Sequence, residues 1–195
     1  MLKAVILNGA REGDIKIDEI SEKLTSIMQL LGETETFILR EYKIADCLGC
    51  FGCWIKTPGQ CVIDDSSRSI ANQFGKADLK VFVTPIVFGG YSYELKKLLD
   101  RQISNILPFL EKNKNGEIHH PSRFTVDTRF VAIGVLSKPD DESETIFKTL
   151  AGRNALNMQA KAYIAITVYL TDNAEQVTKK IKDALAGVGI KDGNA

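Results

Sequence analysis

The chain has 195 residues, enough for one domain with a substantial core, and its 44% hydrophobic and 26% charged content is that of a water-soluble globular protein. Twenty-five basic side chains balance twenty-five acidic ones, so no net field calls for nucleic acid or an anionic membrane surface. The opening MLKAVILNGA lacks the basic region, long apolar stretch and cleavage site of a secretory leader, and no apolar run approaches the ~20 residues of a spanning helix, so a cytoplasmic protein with reduced thiols is expected.

Leu2 to Leu7 form a short apolar, β-branched run ending at Asn8-Gly9, which reads as a buried strand and a turn. Ile17, Ile20, Leu24, Ile27, Met28 and Leu31 then recur at helical spacing, with Asp14 placed to cap the start and Gly32 placed where the helix stops. Thr34 to Leu39 read as a second strand. The segment 46–65 holds all four cysteines and reads as a loop, after which Asp64-Asp65-Ser66 opens a short helix through Phe74. Asp64 and Asp65 read as helix caps, with metal binding as the alternative.

Leu79 to Val83 is a third buried strand, ended by Thr84-Pro85. Tyr91 to Ile106 has the pattern of one amphipathic helix, with Leu95, Leu98, Leu99, Ile103 and Ile106 on one side. Residues 107–129 show no clean period and read as a long excursion or hairpin, which carries His119 and His120 as surface residues. Phe130 to Leu136 is a fourth strand, Glu142 to Met158 a helix, Tyr163 to Leu170 a fifth strand and Ala174 to Leu185 the last helix. Residues 1–186 are expected to form a single domain and 187–195 a loose tail.

Strands that are continuous apolar runs and alternate with helices predict an open parallel sheet covered on both faces. Five of them at this length fit a flavodoxin-like three-layer fold with strand order 2-1-3-4-5, although periodicity alone leaves a Rossmann arrangement open. In such sheets ligands bind at the carboxyl ends of the strands, near the point where strand order reverses. That directs attention to the loops after strands one, three and four. The first, Asn8-Gly9-Ala10-Arg11-Glu12-Gly13-Asp14, runs into a helix N-terminus and suits an anion, or is simply a tight turn with a surface arginine. The loop after strand three, Thr84 to Ser92, is apolar with two glycines and two aromatics, and suits a flat ring or an ordinary aromatic core.

VTPIVFGGYSYELKKLLDR closely resembles the Pro-x-x-x-Gly…Leu-Lys…Asp-Arg segment of NADPH-dependent FMN reductases and related flavodoxin-fold oxidoreductases. The first strand, its turn and Arg11 resemble that family's phosphate loop. CLGCFGCWIKTPGQCVIDD resembles the cysteine loop of a branch that includes the iron–sulfur flavoproteins. The resemblance spans roughly residues 1 to 105. It implies FMN at the strand ends, NAD(P)H as electron donor, a small-molecule electron acceptor and a homodimer whose interface borders the flavins. Carried over residue by residue, it implies that Gly9, Ala10 and Arg11 hold the phosphate, with Gly13 shaping the turn. Pro85, Ile86, Val87, Phe88 and Gly89 would border the isoalloxazine, and Tyr91 would close over it or reach the partner subunit. Ala10 departs from the family by lacking a hydroxyl, and each lost charge-assisted hydrogen bond weakens phosphate binding by ~1.5–3 kcal/mol.

Cys47, Cys50 and Cys53 fall at intervals of three, so a helical turn would put their sulfurs on one side, and Cys61 returns after Pro58-Gly59. That spacing suits a [4Fe–4S] cluster, as in the CxxCxxC runs of bacterial ferredoxins. Zinc, a reversible disulfide and reduced thiols packed beside the flavin are the alternatives. The seven-residue gap before Cys61 is longer than the iron–sulfur branch generally shows. Three functions follow: an FMN-dependent NAD(P)H oxidoreductase acting on a flavin, a quinone or a similar acceptor; an iron–sulfur flavoprotein carrying electrons; or a thiol- or metal-binding module of this fold without flavin. With flavin chemistry no catalytic side chain is singled out.

Overall fold

The computed structural model describes residues 1–113 and 116–190. Strand β1 (Leu2–Asn8) leads through a glycine-containing loop into α1 (Ile15–Gln29) and β2 (Gly32–Ile38). A 3₁₀ turn at Leu39–Glu41 and the cysteine segment, with its four-residue α2 (Gly52–Ile55), precede α3 (Ser67–Gly75). β3 (Leu79–Pro85) is followed by α4 (Tyr93–Asp100), a 3₁₀ extension at Arg101–Asn105 and a small hairpin of β4 (Glu111–Lys112) and β5 (Ile118–His119). β6 (Arg129–Leu136), α5 (Asp141–Asn157), β7 (Ala162–Tyr169) and α6 (Ala174–Gly187) complete the chain.

The five long strands form one parallel sheet in the order β2-β1-β3-β6-β7, the predicted 2-1-3-4-5. Register is set by apolar pairs such as Ile6↔Val81 and Val81↔Val131. Because the sheet is buried on both faces, alternate residues feed two cores. Ile6, Val81 and Ile133 face α1 and α6, where Ile20, Leu24 and Ile181 meet them. Val5, Phe82 and Phe130 face α3, α4 and α5, where Phe74, Leu95 and Phe147 meet them. β3 is buried along its whole length, as a central strand must be. The one charged side chain in it is Lys80.

Several local expectations change for identifiable reasons. β2 begins at Gly32, two residues early, because Gly32 pairs with Leu2 and a Cβ there would lie 2.1 Å from the Leu2 carbonyl oxygen. The expected Tyr91–Ile106 helix is broken in two. Ser92 caps α4 by accepting from the Leu95 amide, and the chain tightens to 3₁₀ geometry after Asp100. The excursion does contain an antiparallel hairpin, although its residues 114 and 115 lie outside the described residues. Of the expected tail, Val188 is buried and Ile190 packs on the α1–α6 core, while 191–195 lie outside the described residues. Among the described residues no helix is long and apolar enough to cross a membrane.

On one face of the sheet Phe130 of β6 meets Phe82 of the adjacent β3 edge to face, ring centroids 4.8 Å apart. Phe130→Ala is expected to cost about 3–5 kcal/mol of unfolding free energy. Urea denaturation of the variant beside the wild-type chain measures it.

Candidate functional site

The carboxyl ends of β1, β3, β6 and β7 open onto a cleft of about 370 Å³. One wall comes from the loop after β1. There the Asn8 side chain, fully buried, accepts from the Ala10 amide at 2.7 Å and donates to Asp18 at 2.8 Å. Asp18 in turn takes a two-pronged contact from Arg40, both bonds 2.9 Å, so the loop rests on a fixed polar support. Gly9 donates to the Val83 carbonyl, and its own carbonyl accepts from the Ser92 hydroxyl at 2.6 Å. A Cβ at Gly9 would sit 2.8 Å from that hydroxyl and 2.9 Å from the Leu95 Cβ, so glycine is required by close approach. Gly13 is required by its backbone, φ +84°, in the left-handed region.

Asp14 occupies the N-cap position of α1, but its side chain makes no capping hydrogen bond. Its carboxylate instead accepts from the Arg11 amide at 2.9 Å and from the Arg11 guanidinium at 2.9 and 3.2 Å. Burial opposes its charge, but these Arg11 contacts prevail and hold the carboxyl below its usual range. The hydrogen bond to Asp14 correspondingly raises the Arg11 guanidinium. The seat that glycines, an amide and an arginine offer to an anion is thus taken by an internal carboxylate. Ala10, where a hydroxyl is absent, is wholly buried in the core.

The opposite wall comes from the loops after β3 and β6. Pro85 and Ile86 line the cleft, with the Ile86 amide bonded to the Val135 carbonyl at 2.9 Å. Val87 and Gly90 exchange backbone hydrogen bonds across Phe88-Gly89, both of positive φ, in a two-residue turn. Phe88 therefore stands at a turn tip, 97% exposed and in a left-handed conformation a bulky side chain rarely adopts. Tyr91 turns the other way, into the core beside Phe82 and Phe147, and its hydroxyl accepts from Asn154 at 2.9 Å. Burial pushes this phenol up to about 12, which keeps it protonated. Of the residues singled out in sequence, Arg11, Gly13, Pro85 and Ile86 meet at the cleft. Val135, Leu136 and Ser137 after β6 and Leu170 after β7 also line it. The strand-end rule points to these positions, but no distinctive residue type marks them.

The cysteine loop contributes none of the residues that line the cleft. Nor does it carry the expected iron–sulfur site. Among the described residues, no group of three or more His, Cys, Asp or Glu side chains is placed to hold a metal ion, which removes the [4Fe–4S] cluster on Cys47, Cys50, Cys53 and Cys61. The reason is the backbone. Gly49 and Phe51 both take positive φ, and α2 begins only at Gly52, so the three closely spaced cysteines do not share a helical face. Cys47 and Cys50 are exposed while Cys53 is buried. Burial, reinforced by the neighbouring Cys61, pushes the Cys53 thiol up.

Polar and aromatic contacts hold the loop instead. The Trp54 indole donates to the carbonyls of Ile103 and Ile106, both at 3.0 Å, and its ring lies 4.9 Å from that of His120. Arg101, its side chain 1% exposed, donates to the Ala45 and Ile63 carbonyls and to Asp65, whose side chain is 7% exposed. Asp65 also accepts from the Ala45 and Ser67 amides. These bonds tie both ends of the loop to the 3₁₀ segment after α4. His119 and His120, read as surface residues, are half-buried: both line a larger cavity, and the His120 ring lies against Trp54.

Burial would raise the Asp65 carboxyl, but hydrogen bonds from Ser67, the Ala45 amide and Arg101 outweigh it and hold it at about 2. Since the unfolded carboxyl titrates near ~3.9, the contribution of Asp65 to stability is complete above that pH and is lost as pH falls towards 2. Arg101→Met, which strands the Asp65 charge, is expected to cost about 3–5 kcal/mol at pH 7. Its unfolding midpoint in urea should also fall less steeply than wild type between pH 4 and pH 2, roughly the window that separates the two states of Asp65.

A family model described as NADPH-dependent FMN reductase matches residues 3–115. An iron–sulfur flavoprotein of Methanocaldococcus jannaschii is 34% identical over 97 residues, which are 50% of this chain and 49% of that protein. One of Archaeoglobus fulgidus is 29% identical over 103 residues, 51% of this chain and 48% of that protein. The chain spans about half the length of the curated relatives it matches. Among solved structures, an NAD(P)H:quinone oxidoreductase from Methanothermobacter marburgensis superposes with a TM-score of 0.64 at 14% identity, covering 97% of this chain and 99% of that one. An FMN-dependent NADH-azoreductase from Bacillus anthracis in complex with FMN gives 0.62 at 14% identity, covering 96% and 98%. At such identities the likeness is one of fold.

Proposed function

The chain belongs to the NADPH-dependent FMN reductase family and has the fold of FMN- and NAD(P)H-dependent oxidoreductases, and on that premise we propose that it binds FMN in the strand-end cleft and passes electrons from NAD(P)H to a small acceptor such as a flavin or quinone. The observation that carries this reading is the meeting of the β1 and β3 loops at the point where strand order reverses. FMN, when bound, supplies the hydride and one-electron chemistry.

The residues fit the phosphate end of such a group. Arg11 presents its amide and guanidinium together to one carboxylate, and a phosphate has the same need for paired donors. We assign Gly9, Ala10, Arg11 and Gly13 to the phosphate and Pro85, Ile86, Val87 and Gly89 to the ring edge. Tyr91, a neutral phenol bonded to Asn154, steadies the loop behind the ring. The strained, exposed Phe88 suits a ring that covers the flavin or packs on a second copy of the chain, so a homodimer belongs to the same proposal. So does a cytoplasmic location, which rests on the sequence. The matches to two iron–sulfur flavoproteins support the four-cysteine branch of the family. In this reading the four cysteines of the loop stay reduced.

Asp14 competes with the phosphate for Arg11. Asp14→Asn is therefore expected to tighten FMN about tenfold, and Arg11→Ala to weaken it by at least about as much, from the size of charge-assisted hydrogen bonds. Riboflavin, which has no phosphate, should change by less than roughly threefold in either variant. Quenching of flavin fluorescence in parallel titrations measures both. A folded Asp14→Asn variant with no affinity for FMN would remove the flavin reading altogether.

A further inference from the structure

The larger cavity, about 640 Å³, lies on the sheet face covered by α3, the 3₁₀ segment and α5 and shares no lining residue with the strand-end cleft. Its walls are mainly apolar, built by Phe74, Leu99, Ile103, Ile106, Phe124 and Leu150. Lys80 reaches into it from the middle of the sheet. This side chain is 6% exposed and is not a surface lysine by any measure of its surroundings. No hydrogen bond or ion pair reaches its ammonium among the described residues, and its one electrostatic neighbour is the Phe74 ring, 5.3 Å from the nitrogen to the centroid.

A lysine in a central strand, without a carboxylate, is a costly arrangement. Burial pushes Lys80 down to about 8, so it still carries its charge at neutral pH. The nearby charges are already satisfied. Lys96 pairs with Asp100, and His119 faces Glu111 at 3.6 Å. The cavity therefore offers a single unpaired positive charge beneath a broad apolar wall, at a volume typical of small-molecule sites.

We propose that this cavity is a second binding site, independent of the flavin cleft, for a small carboxylate with an apolar body, whose carboxylate pairs with Lys80 and whose hydrocarbon or aromatic part lies against Phe74, Ile103, Ile106 and Leu150. The chemistry matches at both ends. The ligand brings the missing counter-charge to Lys80, and its body removes apolar wall from water. The cavity meets the loop assigned to the flavin at Gly90 and Tyr91, but Lys80 lines no part of the strand-end cleft.

Octanoate and octan-1-ol, equal in chain length and different in charge, test it by isothermal titration of the full chain at pH 7. The wild-type chain is expected to bind octanoate at least about tenfold more tightly than octanol, a difference of about 1.4 kcal/mol. Lys80→Met should reduce octanoate to the level of octanol, and it should fold, since it exchanges a buried charge for an apolar side chain of similar length. Leu150→Trp, which fills the cavity, should abolish binding of both. Thermal unfolding and FMN titration of each variant confirm the fold. Three results would overturn the proposal: no octanoate binding by the wild-type chain, equal binding of octanoate and octanol, or undiminished octanoate binding by folded Lys80→Met. Octanoate affinity that falls as protein concentration rises would also overturn it, because a second copy of the chain would then be the occupant.

Discussion

The hydroxyl of Ser92, buried between two loops, joins the halves from which the cleft is built. It donates to the Gly9 carbonyl at 2.6 Å and accepts from the Leu95 amide at 3.2 Å, while the Ser92 amide donates to the Thr84 hydroxyl. One side chain thereby caps α4, pins the loop after β1 and fixes the chain leaving β3. Gly9 makes the approach feasible by having no side chain. Everything proposed for the cleft depends on this knot, because it sets the separation between the anion seat at Arg11 and the apolar floor at Pro85 and Ile86.

A second constraint explains the cysteine segment. Arg101 and Asp65 hold both its ends by buried, charge-assisted hydrogen bonds, and Trp54 anchors its middle to the backbone of Ile103 and Ile106. A loop fixed in this way has no need of a metal or a covalent bridge to be ordered. Its shape is set by positive-φ turns at Gly49 and Phe51, which keep Cys47, Cys50 and Cys53 off a common helical face. The backbone between the cysteines is not helical until Gly52.

What could be read from the sequence follows the same physics. The central buried strands β1, β3 and β6 are apolar runs and were legible as strands, while periodicity alone left their order open between flavodoxin-like and Rossmann arrangements. Elements whose shape depends on a tertiary partner were not legible. Asp14 looks like a helix cap, yet Arg11, three residues earlier, outcompetes the helix amides for it. The Tyr91–Ile106 pattern remains apolar on one side through the change to 3₁₀ geometry, so periodicity could not reveal the break at Asp100. His119 and His120 sit in an aperiodic stretch whose packing against Trp54 leaves no local signature. Lys80 was hidden within LKVFV, where a single charge in a buried strand is the only sign that something should face it.

The central claim is that FMN occupies the strand-end cleft with its phosphate at the Gly9–Gly13 loop. Amide chemical-shift mapping of the ¹⁵N-labelled chain, titrated with FMN, tests it most directly. The account predicts that the largest shifts fall on Gly9, Arg11, Gly13, Ile86, Val87 and Ser137, with the amides of Cys47, Cys50 and Lys80 little changed. Largest shifts at the cysteine loop or around Lys80, with the Gly9–Gly13 amides unmoved, would contradict it.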